Sequence, residues 1–182
     1  MNFIKSALIL ITALYLTGCA SGAKMEAMIY QGDQKQYDEK LTKEMNVGSV
    51  SGGEETNPAW TSEISDEAFS GALKESLKKQ GLFSESGKYK LEVKMLKVDQ
   101  PMFGLDLTVT THIQYILKDT QSNRTIMDET IVAEHTATFS DAFAAITRLR
   151  LANEGSGLKN IEGVLKKLTG LKIAPQNISL TK

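Results

Sequence analysis

From Leu105 to Leu117 an apolar side chain falls on nearly every second residue. Leu105, Leu107, Val109, Ile113, Tyr115 and Leu117 share one register with Thr111, and the positions between are mostly polar. Strict period-two alternation is the signature of a strand with one face buried and the other in water, so this segment requires a sheet and a layer to cover it. Tyr89, Leu91, Val93 and Met95 repeat the pattern against Lys90, Glu92 and Lys94. The cluster Asp119-Thr120-Gln121-Ser122-Asn123 then reads as a turn into a weaker strand from Thr125 to Phe139, where Ile131 and Val132 are both apolar. A shorter strand, Asn46 to Val50, precedes these.

The covering layer is written in two helical patterns. Ser65 is a good N-cap with Asp66 and Glu67 in the first turn, Phe69, Ala72, Leu73 and Leu77 form a stripe, and Gly81 supplies the stop. Ser140-Asp141 opens a second helical segment carrying Phe143, Ile146, Leu149 and Ala152, then Leu158, Ile161, Leu165 and Leu168. Gly155 and Gly157 interrupt it and predict a kink or a break into two helices. The order β-α-β-β-β-α predicts an α+β two-layer sandwich, an antiparallel four-stranded sheet with both helices on one face.

The N-terminus predicts an address. Lys5 is the one charge before the apolar run Ala7 to Leu16, which is too short for the ~20 residues a membrane-spanning helix needs and fits the core of a signal peptide. The run ends in Leu16-Thr17-Gly18-Cys19, which resembles the lipobox of bacterial lipoproteins; Cys19 is the sole cysteine. That resemblance implies cleavage after Gly18, lipid on the Cys19 thiol, and, with neutral Ala20 following, passage to the outer membrane with the domain facing the periplasm. Two or three acyl chains make such an anchor effectively permanent. The expected organisation is a signal peptide over 1–18, a lipidated N-terminus and tether over 19–44, one α+β domain over 45–170 and a tail over 171–182. A flexible tether of that length spans roughly 25–30 Å. Tyr37, Leu41 and Met45 recur every four residues, enough for a short helix packed on the domain.

Charge and motif content restrict the chemistry. Setting Lys5 aside with the leader takes 21 Lys and Arg to 20, against 22 Asp and Glu, a balance with no electrostatic footprint for nucleic acid or an anionic membrane surface. A single cysteine excludes an internal disulfide and a cysteine-based metal cluster. No G-x-S-x-G, H-E-x-x-H, P-loop or G-x-G-x-x-G is present. Gly155-Ser156-Gly157 lies inside a helical pattern and lacks the spacing of a nucleophile elbow. His112 and His135, the two histidines, would need an acid such as Asp106, Asp128 or Glu134 to complete a metal site, and otherwise read as polar residues on a sheet rim. No cofactor, metal or catalytic residue is therefore expected. The binding candidates are Met102 and Phe103, near the tip of the Asp99–Gly104 connection, and Trp60, the sole tryptophan, in the loop before the first helix. Each has an ordinary reading, folding back over the sheet edge or stapling a loop. The alternative is contact with a partner or lipid. The outward face of the long strand, Asp106, Thr108, Thr110, His112 and Gln114, suits either solvent or docking.

Three stretches, VGSVSGGEETNPAWTS from Val47, QPMFGLDLTVTTHIQYIL from Gln100 and TFSDAFAAITRLRLANEG from Thr138, together resemble a family of small, largely uncharacterised proteobacterial lipoproteins. The resemblance covers roughly residues 46 to 168. Some members carry the label UDP-N-acetylglucosamine acyltransferase, an enzyme class similar to a left-handed β-helix of hexapeptide repeats. No such repeat occurs in this chain, and no catalytic residue carries over. The outline with its anchor also resembles accessory lipoproteins of envelope transport and lipopolysaccharide assembly. The expectation is a non-enzymatic, outer-membrane-anchored module that binds an envelope protein or lipid; the alternative is an acyltransferase or hydrolase acting on lipid or cell-wall precursors.

Overall fold

The computed structural model describes residues 20–57 and 61–173. Its elements are a short helix α1 (Met25–Met28), a 3₁₀ turn (Glu39–Leu41), β1 (Met45–Ser51), α2 (Asp66–Lys79), β2 (Tyr89–Asp99), β3 (Leu107–Asp119), β4 (Arg124–Ala137) and α3 (Ala145–Thr169). The four strands form one sheet in sequence order. Both long helices cover the same face: Phe69, Leu73 and Leu77 of α2 and Ile161, Val164 and Leu165 of α3 share one apolar core with Leu91, Val93, Ile113 and Tyr115.

The sheet is mixed, which corrects the expected antiparallel arrangement. β2–β3 and β3–β4 are antiparallel hairpins, but β1 and β2 pair in parallel, with Met45 opposite Tyr89 and Val47 opposite Leu91. The cause is the connection: α2 carries the chain back along the sheet, so β2 restarts in the direction of β1. Local signals held where they were strong. The Ser65 hydroxyl accepts from Ala68 N at 3.2 Å, and Gly81 takes the left-handed conformation (φ +71°) that ends α2. Leu107 to Leu117 alternates as expected, but Leu105 falls outside the strand and is exposed.

Two further expectations are overturned. α3 runs unbroken through Gly155 and Gly157. These glycines are there for contact: a Cβ on Gly155 would overlap the His135 ring of β4, and one on Gly157 would overlap the Met28 thioether of α1. Helix packing favours them against their weak helix propensity. Residues 20–44 do not hang free but lie across the helices. Ala20, Ala23, Met28 and Leu41 are buried, Ala23 N donates to Glu63 O at 2.8 Å, and Lys24 N donates to Glu154 Oε1 at 3.0 Å. Met45, the third member of the four-residue repeat, is fully buried at the start of β1, and Tyr37 donates its hydroxyl to Gln80 Oε1.

A polar layer crosses the interior. Asn160 of α3 accepts from the Tyr115 hydroxyl at 2.8 Å and donates to Thr111 Oγ1 (3.0 Å) and Ile131 O (3.0 Å). Ser156 lies 2.9 Å from Thr111 Oγ1 and donates to Ala133 O. These bonds join α3 to β3 and β4, and each buried polar group in them has a partner. Beyond the layer lies a second, smaller apolar cluster of Leu107, Val109, Ala137, Leu149 and Ala152.

Candidate functional site

The smaller cluster supports one end of the molecule, where the β2–β3 connection and the β4–α3 connection meet. Their apolar side chains point outward. Met102 is 95% exposed, Phe103 88%, Leu105 73% and Phe143 87%, with Phe139 half exposed beside them. Met102 and Phe103 do not fold back over the sheet edge, the ordinary reading of that connection. Phe143, expected on a helix stripe, instead lies in a loop, because the helix begins five residues later than the Ser140 signal suggested. Asp141 does not cap that helix; its carboxylate turns back to accept from Thr138 N at 2.7 Å and Thr138 Oγ1 at 2.8 Å. Those backbone and side-chain hydrogen bonds hold its carboxyl below the usual range.

Both loops are braced from within. Arg148, buried in the first turn of α3, donates from Nη1 to Ala142 O (2.7 Å) and Phe143 O (2.8 Å), and from Nη2 to Gly104 O (3.4 Å). One guanidinium thus holds three carbonyls on two loops, while its face lies 5.3 Å from the Phe139 ring centroid. Its Nε is buried without a hydrogen-bond partner, a cost those bonds offset. Phe139 and Phe143 stack edge to face at 5.7 Å, and Phe139 N donates to Asp106 Oδ1 at 2.9 Å. The outcome is an exposed apolar pole on two loops that Arg148 joins. Sequence reasoning found Met102 and Phe103 but missed Leu105, Phe139, Phe143 and the brace Arg148. The available signal was Phe139 and Phe143 flanking Ser140-Asp141, two aromatics set at the wrong spacing for the stripe that follows.

The pole is linked to the N-terminal strap. Ser62 Oγ donates to Ser21 O at 2.8 Å, and Ser62 O accepts from Asn153 Nδ2 (2.6 Å) and Gln100 Nε2 (3.1 Å). Trp60 and Cys19 lie outside the described residues; next to Trp60, Thr61 N donates to Asn57 O across the loop.

The histidines do not converge. His112 is on the outer face of the sheet, 3.3 Å from Asp99 Oδ2, whereas His135 is on the inner face against Gly155. Burial, with the Lys159 charge nearby, holds His135 below its ordinary value. Among the described residues no group of three or more His, Cys, Asp and Glu is placed to hold a metal. A polar cleft of about 290 Å³ beside the β1–β2 end is lined by Glu54, Glu63, Leu96, Lys97 and Gln100. Burial, then the neighbouring Glu54, raises the Glu63 carboxyl above its ordinary value, and Gln100 donates to it at 2.7 Å. Neither histidine lines this cleft. Leu107, Ile113 and Leu165 are core residues divided between the two apolar clusters.

No family model matches this chain, and no curated protein matches it. Solved structures do. A protein of Caulobacter crescentus CB15, described as a candidate lipoprotein, aligns with a TM-score of 0.51 at 11% identity, covering 71% of this chain and 90% of its own. A Xanthomonas campestris protein of the family designated DUF330 gives 0.52 at 10%, covering 75% and 86%. A hypothetical protein of Chlamydia trachomatis gives 0.51 at 10%, covering 70% and 95%. At these identities the likeness is one of fold. The fold shared is a sheet with covering helices, and the described residues contain no β-helix of the kind the acyltransferase label implies.

Proposed function

We propose that this chain is a lipid-anchored protein of the bacterial outer membrane whose periplasmic domain works by binding an envelope component, without catalysis. The observation that carries the reading is the braced pole: Met102, Phe103, Leu105 and Phe143 are held out to solvent by loops that spend their own polar groups on each other. Large apolar side chains left exposed together mark an interaction surface. The Leu16-Thr17-Gly18-Cys19 motif supports the anchor, and the fold shared with a candidate lipoprotein of Caulobacter crescentus accords with it.

Two measurements test this reading. Growth with an alkyne-tagged palmitate labels the wild-type chain and leaves Cys19→Ala unlabelled; equal labelling would remove the anchor. In-cell crosslinking of a C-terminally tagged chain recovers a specific envelope lipid or protein, and Met102→Ser with Phe103→Ser loses it. Unchanged recovery would move the binding surface away from the pole.

A further inference from the structure

We infer that the occupant of the apolar pole is the lipid surface of the membrane that holds the chain's own anchor, so that the domain rests on the bilayer through Met102, Phe103, Leu105 and Phe143. The inference rests on lipid attachment at Cys19, and it follows from where the strap leads. Lys24 N bonds Glu154 Oε1 and, three residues earlier, Ser21 Oγ accepts from Arg150 Nη1 at 3.2 Å. With Met28 set against Gly157 and Ser21 against Arg150, the strap read toward its start runs along α3 in the direction of Ala145 and the pole. Ser62 ties Ser21 to Gln100, two residues before Met102. Ala20 is already buried against the domain, and one peptide unit, about 3.8 Å between Cα atoms, separates it from Cys19. A free tether would let the domain stand off the membrane, but this strap leaves no slack.

The pole suits that neighbour. Its side chains are large, apolar and exposed on loops, which a fluid interface accepts without a complementary groove. The Gly104, Ala142 and Phe143 carbonyls there are already bonded by Arg148, which lowers the cost of dehydrating them.

The test uses the lipidated mature protein in vesicles of phosphatidylethanolamine and phosphatidylglycerol, with or without doxyl groups on the acyl chains. With the Cys19 thiol consumed by its lipid, an environment-sensitive fluorophore attaches only at an introduced cysteine. Phe103→Cys and Phe143→Cys probe the pole, and Ser122→Cys probes the opposite end. The expected result is blue-shifted emission and loss of intensity in doxyl vesicles at the first two positions, and neither at the third. Emission at 103 and 143 matching that at 122, in protein that still floats with the vesicles, would overturn the inference and leave the anchor intact. A blue shift without doxyl quenching would overturn it in favour of a second copy covering the pole. Protein that fails to float would remove the anchor and the inference together.

Discussion

At the end of the sheet near Tyr89 and Leu117, apolar side chains face inward and are sealed: Tyr89, Leu91 and Leu117 are essentially inaccessible beneath the helices. At the other end Leu107, Val109 and Leu149 form only a thin cluster, and Met102, Phe103, Leu105 and Phe143 stand outside it. The polar layer around Asn160 lies between these regimes. Below it, burial of apolar area supplies stability. Above it, the chain exposes apolar area on loops joined by hydrogen bonds, an arrangement that adds little to folding and is the one the proposed interaction surface uses.

This contrast ranks the effects of substitution. Ile113→Ala, in the main core, is expected to cost about 4 kcal/mol in urea unfolding, since large-to-small changes at sealed sites leave cavities. A loss below about 1 kcal/mol would mean that the core is loosely packed. Asn160→Ala leaves the Tyr115 hydroxyl without its acceptor and removes the donor to Thr111 O, Thr111 Oγ1 and Ile131 O at once, and a loss of about 3 kcal/mol is expected by the same measurement. Arg148→Ala should cost less, about 2 kcal/mol, but should change where the molecule moves: amide exchange should quicken at 102–106 and 139–144 and stay unchanged in β2. Uniform acceleration would show that Arg148 supports the core and not the loops.

A smaller effect is expected from pH. Because His135 takes up its proton at lower pH when folded than when unfolded, the unfolded chain binds more protons between those two values. The contribution of the neutral ring is fully present above the ordinary value of 6.5 and is lost as pH falls through the folded one. His135→Gln should flatten that part of the stability curve, and an unchanged slope would assign it to other groups. Least of all, Met102→Ser with Phe103→Ser should shift stability by no more than about 0.5 kcal/mol, since both are exposed. A large loss would mean that the tips pack in solution.

Much of the core was legible because it is periodic. The alternation in β3 named Leu107 to Leu117, and the Ser65 cap and Gly81 stop bounded α2 to within a residue. What failed was non-local. The parallel pairing of β1 depends on the direction in which a helix returns, which no local pattern states. Gly155 and Gly157 looked like helix breakers because their partners, His135 and Met28, are remote in sequence. The strap looked like a linker because Ala20, Ala23 and Met28 are scattered, and only the assembled helices reveal a surface for them. Half of the pole was visible in Met102 and Phe103. The other half was hidden by an apolar residue, Phe143, that imitates the start of a stripe.

The strap also has a consequence in time. Lys24 and Glu154 are 130 residues apart in sequence, yet they bond directly. The first part of the chain to be made can therefore find its seat only after the last helix has formed. Until then Met28 lacks the Gly157 surface against which it closes, so this seam of the fold cannot shut before α3 is in place.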